Sequence, residues 1–255
     1  MAEKNGYPPG HPSWVDIGTD VEAAKGFYGA VFGWGALQAG PLESTGGYGF
    51  FTKAGKMVAG FGPKTDPGPP SWSVYFATED ADATVTKAKA AGASVVAGPM
   101  DVMGAGRMAV LRDPTGALFS VWQEGNHRGA ELAGEPGALV WVELNTRDTA
   151  AATTFYRQVF GWASEQSEEM AYTQFEAAGE QVAGMMAMPL EVPAEHPAHW
   201  LAYFGTADVD ATVGTAKSAA ADVLAGPMDI PGAGGRFAVL RDPQGAVFGV
   251  FQGPS

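Results

Sequence analysis

The stretch Arg107–Gln123, RMAVLRDPTGALFSVWQ, returns near the C-terminus as Arg236–Gln252, RFAVLRDPQGAVFGVFQ, at an offset of 129 residues. Each copy reads as two strands around a tight turn. Asp113-Pro114-Thr115-Gly116 places Pro at i+1 and Gly at i+3, the preferences of a type I turn. Beyond the turn, Leu118, Phe119, Val121 and Trp122 suit a strand buried on both faces. A repeat of this length marks a tandem duplication, and its other members order the rest of the chain.

Working outward, WVDIGTD from Trp14 matches WVELNTRD from Trp141 at an offset of 127, and FYGAVFGW (Phe27–Trp34) matches FYRQVFGW (Phe155–Trp162) at 128. WSVYFATEDADATV (Trp72–Val85) matches WLAYFGTADVDATV (Trp200–Val213), and AGPMD occurs in both halves. Two single-residue insertions near loops account for the drift. Trp14–Thr19 alternates as a strand does. Asp20 is a predicted N-cap, Ala23, Ala24, Phe27, Tyr28, Val31 and Phe32 form a helical stripe, and Gly33 stops it. Short strands follow around Ala36–Gln38, Tyr48–Lys53 and Met57–Phe61. After the Pro/Gly connection Lys64–Ser71 come a strand at Trp72–Thr78, a helix capped by Asp80 or Asp82, a strand at Ser94–Ala97, a turn at Gly98-Pro99-Met100-Asp101, and the hairpin. Each half is thus two βαβββ units. The polar, Gly-rich segment Glu124–Gly137 divides them, giving domains at 1–125 and 138–255 with 126–137 as linker, related by a pseudo-twofold or a translation.

Composition narrows the function. The 255 residues are 46% hydrophobic and 17% charged, enough to bury real cores. With 15 basic against 28 acidic residues the net charge is −13, which disfavours nucleic acid and anionic lipid as partners. The sequence holds no apolar run of membrane-spanning length and no apolar leader. The absence of Cys excludes thiolate metal sites and fits a cytoplasmic protein, and a monomer or homodimer is expected. The glycine runs Gly104–Gly106 and Gly232–Gly235 precede strands, not helices, so they are not read as phosphate loops.

The order strand–Asp–helix–Phe-Tyr–Gly-Trp, then a DP-x-G hairpin with an apolar last strand, resembles the vicinal oxygen chelate superfamily. That superfamily includes glyoxalase I, extradiol dioxygenases, and fosfomycin- and bleomycin-resistance proteins; two-domain bacterial members are labelled glyoxalase-like or "hydroxylase". The resemblance implies an α+β fold of two tandem glyoxalase-like domains, each with paired βαβββ units curling around a cavity. It also implies a divalent metal held by His, Gln or Glu on three strands of a domain. At the matching positions this sequence has Trp14, Ser73 and Ser120 in the first half, and Trp141, Leu201 and Gly249 in the second. None is a usual ligand, and a register shift of one offers only Phe119, Val121, Phe248 or Val250 on the last strands. No metal and no other cofactor is therefore expected.

Strand parity then assigns the cavity walls. If Val15 and Ile17 pack on the helix, Trp14 and Asp16 face the other way, because burying an unpaired carboxylate among apolar residues costs several kcal/mol. The same parity gives ligand-contacting candidates Ser73, Tyr75, Ser120 and Trp122 in the first half, and Trp141, Asn145, Tyr203 and Phe251 in the second. Glu143 and His199 share the second cavity and are the candidate catalytic pair, since a carboxylate and an imidazole can share a proton. Arg112 and Arg241 are predicted partners of Asp113 and Asp242. The leading expectation is a metal-independent protein that binds, with or without transforming, a small aromatic or oxygenated metabolite. Its rivals are a metal-dependent glyoxalase or dioxygenase built on Glu143, His199 and a third donor, and a non-catalytic drug- or metabolite-sequestering protein.

Overall fold

The computed structural model describes residues 3–65, 67–167, 171–231 and 234–254. Asp66 of the predicted connection, and Gly232 and Ala233 of the second glycine run, lie outside the described residues. The first unit is β1 (Pro12–Thr19), α1 (Val21–Phe32), β2 (Gly35–Gln38), a one-turn helix α2 (Leu42–Thr45), β3 (Gly49–Lys53) and β4 (Lys56–Pro63). The second is β5 (Ser71–Ala77), α3 (Ala81–Ala90), β6 (Ser94–Val102), β7 (Gly106–Arg112) and β8 (Leu118–Glu124). The second half repeats them: β9 (Leu139–Thr146), α4 (Thr149–Phe160), β10 (Ala163–Ser167), β11 (Tyr172–Ala177) and β12 (Glu180–Ala187), then β13 (His199–Gly205), α5 (Val209–Ser218), β14 (Asp222–Asp229), β15 (Arg236–Arg241) and β16 (Val247–Gln252). Four βαβββ units are present, and the class is α+β. Among the described residues no helix is long and apolar enough to cross a membrane.

The caps form as local chemistry demands. Asp20 Oδ1 accepts from the Ala23 amide at 3.1 Å, and Gly33, at φ 69°, ends α1 with its amide on the Gly29 carbonyl. Asp80, Asp148 and Asp208 cap the other three long helices the same way. Each half makes one eight-stranded sheet, in the orders β2-β3-β4-β1-β5-β8-β7-β6 and β10-β11-β12-β9-β13-β16-β15-β14. The two units of a half join where β1 runs antiparallel to β5, and β9 to β13. The predicted turn at Gly98–Asp101 is instead part of β6. Pro99 lacks an N–H, but β6 is an edge strand and absorbs it with shifts of register on either side of Ala97.

The helices and one face of each sheet form a single core drawn from both halves. Here α1 packs on α5, α3 on α4, and β5 lies against β13. At the centre are two reciprocal relays. Trp72 Nε1 donates to the Tyr28 hydroxyl at 3.0 Å, and Tyr28 donates to Asp242 Oδ2 at 2.9 Å in the other half. Trp200 donates to Tyr156 at 2.9 Å, and Tyr156 to Asp113 Oδ2 at 2.8 Å. The second oxygen of each aspartate organises its own DP turn: Asp113 Oδ1 accepts from the Thr115 and Ala117 amides, Asp242 Oδ1 from those of Gln244, Gly245 and Ala246. Such reciprocity is what a twofold relation produces and a translation does not. Trp34 and Trp162 follow the same rule, their indoles donating to the carbonyls of Gly137 and Gly10.

The predicted arginine partners are corrected by this arrangement. Arg112 bonds the Gly116 carbonyl at 3.0 Å, and Arg241 lies 3.8 Å from Asp222 across the β14–β15 ladder. Asp113 and Asp242 are only 3% exposed, and a tyrosine hydroxyl reaches them where an exposed guanidinium does not. Tyr28→Phe should strand Asp242 Oδ2 and Trp72 Nε1 in the core and cost about 1–3 kcal/mol. Each kcal/mol should lower the melting temperature by about 2–4 °C. Because the core is common to both halves, calorimetry should show one transition, shifted by either Tyr28→Phe or Tyr156→Phe. Two transitions, with each variant moving only one, would contradict the shared core.

Candidate functional site

The faces turned away from the core carry the candidate residues. On the second sheet Leu201 pairs with Glu143, His199 with Asn145, and Tyr203 with Trp141, so all six side chains share one face. Tyr203 also pairs with Gly249, and Phe237 with Phe251, which extends that face across β16 and β15. Glu143, 7% exposed, is the polar centre. Its Oε1 accepts from the Tyr203 hydroxyl at 3.2 Å and from Asn145 Nδ2 at 3.3 Å, and Tyr172 also donates to the carboxylate. Tyr172 in turn accepts from Trp141 Nε1 at 2.9 Å. Burial raises the Glu143 pKa above the usual carboxylate value, and the bonds from Tyr172, Asn145 and Tyr203 oppose that rise. Burial and the neighbouring carboxylate push both tyrosines up, so they are neutral donors at pH 7.

Two glycines make room for these rings. A Cβ at Gly184 would overlap the Tyr172 hydroxyl, and one at Gly249 would overlap the Tyr203 ring. Gly249 is also the last-strand position from which the resemblance implies a metal ligand. The tyrosine ring lies where such a side chain would start.

The first sheet carries the same constellation. Trp14 Nε1 donates to Tyr48 at 3.0 Å, and Tyr48 and Tyr75 donate to Asp16 Oδ2 at 3.1 and 2.9 Å. Ser73 bonds Asp16 and Ser120 bonds Tyr75, while burial raises the Asp16 pKa against the pull of those donors. What differs is a roof. The His127 ring stands edge-on to Trp14 at 4.4 Å between centroids, with Trp122 at 5.6 Å and Phe50 at 5.7 Å. The amides of Gly125 and His127 bond the Ala105 carbonyl, Trp122 Nε1 bonds the His127 carbonyl, and Tyr7 reaches the Ala130 carbonyl. Trp14 and Trp122 are consequently 3% and 6% exposed, whereas their counterparts Trp141 and Phe251 remain half-buried. Both His127 ring nitrogens are buried without a partner among the described residues, and that burial lowers its pKa to about 4.

Of the predicted site residues, the structure gathers Trp14, Asp16, Ser73, Tyr75, Ser120 and Trp122 on one face, and Trp141, Glu143, Asn145, His199, Tyr203 and Phe251 on the other. Among the described residues no hydrogen bond joins Glu143 directly to His199. His199 sits diagonally across the ladder, a separation of about 7–8 Å in such pairs. Its Nδ1 lies 3.1 Å from the Pro197 carbonyl, and burial lowers its pKa. Tyr48, Tyr172 and His127 join these two faces and were not among the predicted site residues. The repeat held a signal for the tyrosines, each standing three residues ahead of a matched phenylalanine, Phe51 or Phe175. As for a metal, no three His, Asp or Glu side chains converge among the described residues. The donors present do not fit a divalent ion.

Comparison with known proteins agrees with this architecture. The family model described as Glyoxalase/Bleomycin resistance protein/Dioxygenase superfamily matches residues 17–121 and 138–250. The chain is 41% identical to CFP32 of Mycobacterium tuberculosis, which carries a provisional glyoxylase name, over 99% of this chain and 98% of that protein. It is 40% identical to the anthracycline biosynthesis protein DauV of a Streptomyces species, over 96% and 94%. Among solved structures, the Mn(II)-bound glyoxalase of Novosphingobium aromaticivorans superposes with a TM-score of 0.66 at 19% identity, covering 97% of this chain and 83% of that one. The 2,3-dioxygenase LapB of Pseudomonas sp. KL28 gives 0.66 at 15% identity, covering 97% and 94%.

The roof makes a pH prediction. His127 is neutral in the folded protein down to about pH 4, whereas the unfolded chain binds a proton below its ordinary value of 6.5. Stability should therefore be lost as pH falls from 6.5 toward 4. The loss from this group alone is on the order of 2–3 kcal/mol. His127→Phe, which keeps the ring and removes the buried nitrogens, should melt higher than the wild type by a margin that widens from pH 7 to 4.5. A margin independent of pH would show that His127 is not sealed as described.

Proposed function

The chain belongs to the glyoxalase/bleomycin resistance protein/dioxygenase superfamily, and on that premise we propose that it binds a flat, oxygenated aromatic metabolite on the concave face of its second sheet, without a divalent metal. The observation that carries the proposal is the difference between two otherwise matching faces. The first covers its wall tryptophans, Trp14 and Trp122, with its own chain, through His127, Ala130 and Tyr7. The second leaves Trp141, Phe237 and Phe251 half-buried around the Glu143 cluster. Aromatic walls with a few placed polar groups are the usual make-up of a small-molecule site.

Two further points support the reading. The ring of Tyr203 takes the space above Gly249, and the nearby donors, Glu143, His199 and the His196 ring packed beside it, do not converge as a ligand set among the described residues. The Streptomyces relatives are named for anthracycline biosynthesis, and an anthracycline is a fused-ring aromatic bearing oxygens, the class of ligand this face would suit.

Titration with a soluble anthraquinone in buffer containing a chelator, followed by tryptophan fluorescence, tests the proposal. Saturable one-site binding is expected, weakened about tenfold or more (about 1.4 kcal/mol) by Trp141→Ala. Binding that appears only on adding a divalent metal, or that ignores Trp141→Ala, would count against it.

A further inference from the structure

The hydrogen bonds within the Glu143 cluster determine what it can still offer. The Trp141 N–H is directed to the Tyr172 oxygen, and the Tyr172 and Tyr203 hydroxyls to the Glu143 carboxylate. One N–H of Asn145 is directed there as well, which leaves its second. An ionised carboxylate has about four lone-pair sites, and three donors occupy this one. The Tyr203 oxygen, for its part, accepts from no group among the described residues. His199 points the same way. Its Nδ1 faces a carbonyl oxygen and so carries the ring proton, leaving Nε2 of the neutral ring as an acceptor on the same face of the sheet. Immediately around the Glu143 carboxylate, the unused sites are acceptors apart from that second N–H of Asn145.

Resting on the reading that this face holds a flat aromatic compound, we infer that it selects its ligand by a phenolic or enolic hydroxyl, whose hydrogen is donated to the Glu143 carboxylate. A hydroxyl in the plane of a ring reaches the carboxylate with its edge while the ring faces lie along Trp141 and Phe251. A carbonyl or ether oxygen at the same place brings a second acceptor against the first, and the pair repels. Sites built on a hydrogen bond to a ligand hydroxyl discriminate strongly against analogues that lack it, because the buried group is then left unpaired.

The test compares 2-hydroxyanthraquinone, 2-methoxyanthraquinone and unsubstituted anthraquinone. The 2-position keeps the hydroxyl clear of the quinone carbonyls, so it is free to donate. The wild-type protein should bind the hydroxy compound at least about tenfold more tightly than the other two, as expected for a hydrogen bond to a charged group. Ionisation of the bound phenol, read by absorbance, should move to higher pH, since an anion beside a carboxylate is disfavoured. In Glu143→Gln the preference should shrink by about fivefold or more, because a neutral amide oxygen is the weaker acceptor, while anthraquinone itself still binds and shows the face intact. Equal affinity of wild type for the hydroxy and methoxy compounds overturns the inference and leaves the aromatic site standing; that comparison depends on no variant. A preference undiminished in Glu143→Gln also overturns it. If none of the three compounds binds, the site assignment itself fails, and the inference with it.

Discussion

Two buried carboxylates, Asp113 and Asp242, each serve two masters, and the molecule is assembled around that fact. One oxygen of each ties down the backbone of its own turn, and the other accepts a tyrosine hydroxyl from the opposite half. A carboxylate at 3% exposure is costly unless every lone pair is used, so neither turn is satisfied without the other half in place. The tyrosines hang from helices that start at an aspartate cap and end at a left-handed glycine, which fixes how far along the helix each hydroxyl sits. The helix-bearing faces of both sheets are therefore closed against each other. Only the opposite faces remain for a ligand.

On those faces the duplication has kept one chemical unit and changed its setting. Indole, tyrosine, carboxylate and second tyrosine recur in the same order, with Asp16 exchanged for Glu143. The glycines that let the rings lie flat over their strands also keep a ligand side chain from projecting at Gly249. Where related folds bind a metal, this chain has neutral phenols around a carboxylate. In the first half the connection between the halves folds back and covers Trp14 and Trp122 with an imidazole that has no hydrogen-bond partner among the described residues. In the second half the aromatic walls stay half-buried, and binding is assigned there.

What the sequence made legible was local or periodic. The repeat, the four units, the aspartate caps and the alternation that puts Trp14 and Asp16 opposite Val15 and Ile17 all follow from spacing along one strand or helix. The missed features depend on which strands become neighbours. Tyr48 precedes β3 and reaches Asp16 across β4, a relation that no single-strand pattern contains. His127 lies in a segment with no periodicity, and its burial arises only because the chain doubles back onto Ala105. Parity rightly placed Glu143 and His199 on one face but said nothing of register, which sets them on a diagonal. The arginines beside the DP turns invited pairing by sequence adjacency, while the buried carboxylates found partners more than 40 residues away or in the other half.

The central claim is that the open second face, and not the roofed first, receives a small aromatic ligand without a metal. The seven tryptophans provide distinct reporters, because each indole N–H gives its own resonance in a nitrogen–proton correlation spectrum. Adding 2-hydroxyanthraquinone to chelator-treated, isotopically labelled protein should shift the Trp141 indole signal progressively. The signals of Trp14 and Trp122, covered by His127, should stay in place. Shifts at Trp14 and Trp122 with Trp141 unmoved, or no shift until a divalent metal is added, would contradict the account.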